Sequence, residues 1–447
     1  MHDVASPAAG TLPLRGIRVV DMSTSYAGPT ATMYLAELGA DVIKVERPHG
    51  DDARGWGPPF VGSDSAWFAS ANRNKRSIVL DLRTDDGRAA LDRLVGTAQV
   101  FVENLNPGKL AQLGIDPPTL RARHPQLVYC ALSGFGLTGP DTHLPGYDLI
   151  AQARSGLMSV TGPAGGRPQR VSTALSDIVA GLVCALATVA ALRRVERGGP
   201  GELIDVSLLD TDLALMAPRI ASYLAGEPEP APSGGTDSVI AIYQPFDTAD
   251  RPLVVAVGSD AIWHRLCAVT GLAELAADPA LADNAGRRAH RDRIIDRLGR
   301  TLRTRPAAEW LAEFAAAGIP GATIAYLSDV VADPQVLARE AIVTLPGDGP
   351  PAHAVAAPWR YADTTPPRGP APGLGAHTAE ILRELGLDEA AVARLARPGA
   401  APSQAPGAAT ASPSPGGATG ATAVGATGLT AGGATGGELT TVRAESS

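Results

Sequence analysis

The chain has 447 residues and a formal charge of −8, long enough for two or more domains and a large core. Mild acidity with no basic block argues against nucleic acid or an anionic membrane as a partner. Three cysteines, Cys130, Cys184 and Cys267, stand far apart in apolar surroundings, which suits buried thiols in a reducing cytoplasm and neither a disulfide framework nor a metal centre. The opening MHDVASPAAG lacks the basic-then-apolar order of a secretory signal.

In chain order, residues 1–13 are small and polar and are expected to be flexible. Gly16–Met22 (GIRVVDM) predicts a buried strand, Pro29 opens a helix that Gly39 stops, and Asp41–Glu46 (DVIKVE) predicts the second strand. Further strands are predicted at Lys75–Leu82, Gln99–Glu103, Leu127–Leu132 and Glu202–Leu208, with a helix after Thr84 and another over Asp210–Leu224. Strands alternating with helices predict an α/β fold with a mostly parallel, Rossmann-like sheet in a large domain over 14–225. The Pro/Gly-rich EPEPAPSGGTDS after Gly226 marks a boundary. A hairpin-like pair (VIAIYQPF, RPLVVAVG) and several helices then predict a smaller α+β domain over 226–328. Residues 329–397 are expected to form a C-terminal segment that returns to the large domain, and 398–447, almost devoid of large apolar residues, reads as a disordered tail.

The stretch Ser176–Arg194 (SDIVAGLVCALATVAALRR) is apolar over Ile178–Leu192. It predicts a helix apolar on all sides, hence buried, and at about fifteen residues too short to span a membrane. Ser176 is the expected N-cap, and Asp177 in the first turn would be kept ionised by the helix end. On these residues alone Asp177 is either a structural first-turn acid or a carboxylate nucleophile.

Ser133–Gly139 (SGFGLTG) holds a G-x-G-x-x-G, but loop follows where a dinucleotide site needs a helix. The eight histidines show no metal-ligand spacing, and no G-x-S-x-G elbow is present for a serine hydrolase. Arg47, Lys75, Arg76, Arg83 and Lys109 are expected near the ligand edge of the sheet, on loops after parallel strands, where together they could hold a phosphorylated cofactor.

Several blocks in order resemble the family III CoA-transferases, a group that includes formyl-CoA:oxalate and carnitine CoA-transferases and has α-methylacyl-CoA racemase as a relative. They are GIRVVDMS…YAGPTATMYLAELGADVIKVERPHGDDAR, NKRSIVLDLRTDDGR, VFVENLNPGKLAQLGID, SGFGLTGP, GYDLIAQARSGLMSVTG, SDIVAGLVCALATVAALRR…GELIDVSLLD and PAPGLGAHTAEILRELGL. The resemblance implies a CoA-binding large domain that the chain leaves and rejoins, in an interlocked homodimer. It implies an acyl-CoA and a carboxylic acid acceptor as substrates, with no tightly bound cofactor and no metal. It places the nucleophile on Asp177, and CoA contacts on Tyr26, Ala27, Arg47, Leu80, Leu82, Arg83, Asn104 and Leu105, with Tyr147 near the thioester. Lys109 would stand in for an arginine where this chain has Gln112, and Gly234 and Gly235 would form a lid. Backbone amides near Gly134 or Gly234 would receive the developing oxyanion. The racemase branch has a histidine in the Tyr147 slot, so tyrosine, with an ordinary pKa near 10, favours the transferase. Racemisation and non-catalytic CoA binding are the alternatives.

Overall fold

The computed structural model describes residues 11–346 and 352–396; the first ten residues and the predicted tail from 398 lie outside the described residues. Strands β1 (Arg18–Asp21), β2 (Asp41–Glu46), β3 (Arg76–Val79), β4 (Val100–Glu103), β5 (Val128–Ser133) and β6 (Leu203–Ser207) are all parallel, in the spatial order β3-β2-β1-β4-β5-β6. Chain order reverses between β1 and β4, and in such sheets ligands bind beyond the carboxyl ends of the strands at that switch point.

Period-two alternation sends side chains to two cores. Val19, Val42, Val100, Val102 and Cys130 face one way, under α1 (Ala27–Glu37) and α4 (Leu175–Glu196). Val20, Ile43, Phe101 and Tyr129 face the other, under α2 (Asp85–Gly96) and the C-terminal Ile381, Leu382 and Val392. The chain after Gly226 carries a three-stranded antiparallel sheet of β7 (Tyr243–Phe246), β8 (Leu253–Ala256) and β9 (Gly321–Thr323). Its own core gathers Trp263, Leu298 and Phe314.

The helix carrying Asp177 differs from expectation in three ways. It starts at Leu175, with Ala174 rather than Ser176 at its N-cap, and runs 22 residues. By length and composition it could therefore cross a membrane, but one of its faces is packed into the core of the α/β fold. Only a stripe is buried (Ser176, Ala180, Gly181, Cys184, Ala185, Thr188, Leu192), and Leu182, Val183 and Leu186 are exposed, Leu186 at 72%. The predicted helix over Asp210–Leu224 is two, α5 (Leu208–Leu215) and α6 (Ala217–Leu224), with Pro218 in the first turn of the second.

Small residues let α4 lie close on α1. A Cβ on Gly181 would meet Thr30 Cβ at 2.8 Å and the Ala27 carbonyl oxygen at 2.9 Å. Gly181→Leu should therefore force the helices apart and cost about 1–3 kcal/mol, measured as a lower midpoint in denaturant unfolding.

Candidate active site

The loops leaving β1 and β4 are stitched across the switch point. The Thr24 amide donates to Asn104 Oδ1 at 2.9 Å, and Asn104 Nδ2 donates to the Thr24 carbonyl at 2.8 Å. Ser25 adopts φ +67°, an uncommon conformation for a residue with a side chain, and its amide donates to Asp51 Oδ1 at 3.2 Å. Beneath lies a buried frame. Lys44 Nζ donates to the Ser23 carbonyl at 2.8 Å and pairs with Asp51 at 3.0 Å. Lys75 Nζ pairs with Asp21 at 3.0 Å and donates to the Pro29 carbonyl and Asn72. Each buried charge is thus answered by an opposite charge and by hydrogen bonds, the condition under which burial is tolerated.

Two cavities open on these loops. One, about 470 Å³, is lined by Arg47, Leu80, Leu82, Arg83, Leu105 and Lys109, with Gln112 beside Lys109. The other, about 530 Å³, is lined by Ala27, Asn104, Leu105, Tyr147 and Asp177. Thr24 and Leu105 belong to both walls, so the cavities meet at the switch point. Tyr26 lines neither; its hydroxyl bonds Ser70 Oγ at 2.9 Å and its ring lies 4.8 Å from that of Trp67. Two predicted cations are also elsewhere. Lys75 is consumed in the buried frame, and Arg76 begins β3, at the amino end of the sheet, bonded to Asp41, Glu380 and Glu384. Arg47 and Arg83 remain at the cavity mouth, each with a neighbouring aspartate, Asp52 and Asp81.

Asp177 sits half-buried in the first turn of α4. The hydrogen bonds of that turn go to other acids. The Ser176 amide donates to Asp148 Oδ1 at 2.9 Å, and the Ser176 hydroxyl to Asp212 Oδ2 at 2.8 Å. Asp148, the first residue of α3 (Asp148–Arg154), also accepts from Gln152 at 2.8 Å. The helix start therefore serves Asp148, and the expectation that it would keep Asp177 ionised is overturned. Burial, reinforced by the charges of Asp148 and Asp212, pushes the Asp177 carboxyl up to about 7. Burial does the same to Glu103, at the end of β4 on the same cavity, also raised to about 7 although it accepts the Leu105 amide at 2.7 Å.

The glycine loop after β5 passes so near the 142–146 segment that a Cβ on Gly134 would lie 2.6 Å from Gly146 Cα. That approach places Gly134 and Tyr147 on the cavity of Asp177. Gly234 does not line it, and its amide donates to the Gly162 carbonyl at 2.9 Å, so that amide is spent. Sequence reasoning missed Glu103, Asp148 and Asp212. Only Asp148 carried a signal, its place beside Tyr147 in GYD. Asp212 sits two residues after the exposed Asp210 in DTD, and only the packing of α5 shows which of the two is buried.

Residues 14–378 match the model of CoA-transferase family III. The chain belongs to that family. Among its relatives, the succinate–glutarate CoA-transferase of Agrobacterium fabrum is 39% identical, over 83% of this chain and 96% of its own. The acetyl-CoA:oxalate CoA-transferase of Acetobacter aceti is 37% identical, over 86% and 99%. A CaiB/BaiF family protein of Brucella suis of known structure superposes with a TM-score of 0.75 at 38% identity, over 84% of this chain and 100% of that one. This family III chain is accordingly a CoA-transferase whose substrates are an acyl-CoA and a carboxylate.

A carboxyl whose pKa is higher folded than unfolded favours the folded state while it is protonated. That contribution is present below the unfolded value near 4 and is lost as pH rises through about 7. Asp177→Asn should therefore be more stable than the natural chain at pH 8, by roughly 1–2 kcal/mol after allowing for partial solvation. The two should converge near pH 4 in thermal melts.

Proposed function

We propose that Asp177 is the covalent nucleophile of an acyl-CoA:carboxylate CoA-transferase. The observation that carries this reading is its place on the wall of a cavity that meets, at Thr24 and Leu105, the cavity lined by Arg47, Leu80, Leu82, Arg83 and Lys109. CoA, entering as a substrate and not as a resident cofactor, would lay its charged end along the second set and its thioester beside Asp177.

In the first step the Asp177 carboxylate attacks the donor thioester carbonyl, forming an acyl–aspartyl anhydride and expelling CoA thiolate. The thiolate adds to the aspartyl carbonyl, and the donor acid leaves, taking one aspartate oxygen. The resulting aspartyl–CoA thioester is attacked by the acceptor carboxylate, giving a second anhydride and thiolate. The thiolate then takes the acceptor acyl group and Asp177 is restored. Each step breaks one bond to a carbonyl carbon and makes another, with no net proton change. The Gly134 loop is the contact we assign to the anionic intermediates. The acids proposed are short dicarboxylates, after the names of the relatives, with Asn104, Thr142 and His143 as donors along the same cavity. The reaction is placed in the cytoplasm, where the three buried free thiols suit a reducing medium.

We further propose a homodimer. The face of α4 bearing Leu182, Val183 and Leu186, with Leu213, Leu215 and the 78% exposed Leu224 on α5 and α6, is an apolar surface of the kind that partner chains cover. Leu186→Arg should shift the mass in solution from dimer toward monomer by light scattering; an unchanged mass would place the interface elsewhere.

Incubation with succinyl-CoA, without acceptor, should leave a hydroxylamine-labile CoA adduct on the peptide bearing Asp177, and Asp177→Ala should lose roughly a thousandfold or more of turnover. Turnover that persists in Asp177→Ala refutes the covalent reading. Exchange of an α-proton of a 2-methylacyl-CoA with deuterated water, without acceptor, would indicate the racemase instead.

A further inference from the structure

Ser176, the residue preceding the proposed nucleophile, is held between two acids on different helices, Asp148 of α3 through its amide and Asp212 of α5 through its hydroxyl. Asp212 is unusual. It is 0% exposed, its Oδ2 takes the Ser176 hydroxyl at 2.8 Å and the Ser155 hydroxyl at 3.4 Å, and its Oδ1 has no partner among the described residues. No salt bridge within 4 Å answers its charge among the described residues, although such pairing is the usual condition for burying an acid. Its own carboxyl is raised above the ordinary range, chiefly by burial. Burying an acid with no opposite charge is costly, so the charge calls for a use.

We propose that Asp212 is a positioning residue for the transfer: it fixes Ser176 and sets a negative field that makes Asp177 a strong nucleophile and a poor leaving group. The inference rests on the reading of Asp177 as the nucleophile. Its chemical benefit lies in the fate of the mixed anhydride. Thiolate adding to the aspartyl carbonyl breaks the bond from that carbon to the bridging oxygen and releases the donor acid. Thiolate adding to the acyl carbonyl releases Asp177 and regenerates the starting thioester. The less basic carboxylate leaves more readily, so an aspartate more basic than the donor acid, whose ordinary value is near 4, directs breakdown of the first anhydride toward the aspartyl–CoA thioester; the second anhydride, which must release Asp177, gains no such help. The other titratable groups around Asp177 are Asp148, with Arg170 3.9 Å from it, and Glu103, Asp116, His143 and Tyr147 along the cavity. Asp148 and Asp212 are both joined to the nucleophile's own helix turn, Asp148 through the Ser176 amide and Asp212 through the Ser176 hydroxyl.

The test is the pH dependence of adduct formation on Asp177, with the full chain and succinyl-CoA in single turnover. The natural chain should show an acidic limb near pH 7. In Asp212→Asn, which can still accept from Ser176, the limb should move down by about one pH unit, a tenfold change in the proton affinity of Asp177, and the plateau rate should fall. Asp212→Ser removes the same charge and serves if the asparagine variant does not fold. A purely structural role would lower the rate and leave the limb in place, and that outcome overturns the inference, as does a natural-chain limb at or below pH 5. Failure of the natural chain to form any adduct would instead refute the nucleophile itself, and this inference with it.

Discussion

Three carboxylates crowd the head of one helix, and the site is organised by their repulsion. Asp177 stands beside Asp148 and Asp212, partly out of water, where each charge is worth more than it would be in solvent. The turn can absorb that crowding because Ser176 binds both neighbours, leaving Asp177 without either of those hydrogen bonds. A carboxylate stripped of donors is a better nucleophile than one that is well solvated. The same arrangement costs stability, since the fold must hold an acid that resists ionisation. The buried acids thus point to selection for chemistry at the expense of stability.

The rest of the molecule holds that turn against the ligand loops. The close contact at Gly181 sets α4 directly on α1, and α1 begins just after the left-handed Ser25. Lys44, through the Ser23 carbonyl and Asp51, fixes the loop leading into it. The mutual hydrogen bonds of Thr24 and Asn104 close the crevice between β1 and β4. A parallel sheet supplies the crevice, the buried ion pairs define its floor, and the two cavities share the wall at Thr24 and Leu105.

Much of this was legible in the amino-acid sequence. The apolar runs at Val19, Ile43 and Phe101 fell into strands because each is buried on both faces of a parallel sheet. The order of motif blocks pointed to the family, as the family match and the relatives show. Side-chain partnerships were not legible. Lys75 and Arg76 are adjacent and chemically alike, yet Lys75 is buried against Asp21 and Arg76 is spent on Asp41, Glu380 and Glu384. Tyr26 and Ala27 are neighbours, yet of the two it is Ala27 that lines the cavity of Asp177. Local charge and pattern do not encode such divisions; tertiary packing makes them. The apolar helix misled for a related reason. Its composition shows how much surface it must bury, but not whether its own chain covers that surface.

The central claim is that Asp177 exchanges its own oxygen with the acids it serves. Turnover of succinyl-CoA with an acceptor acid labelled with ¹⁸O in its carboxylate, in ordinary water, tests it most directly. Covalent transfer through the two anhydrides predicts that at least one ¹⁸O atom appears in the peptide bearing Asp177 after many turnovers. An unlabelled Asp177 after complete exchange of CoA between the acids would contradict the account.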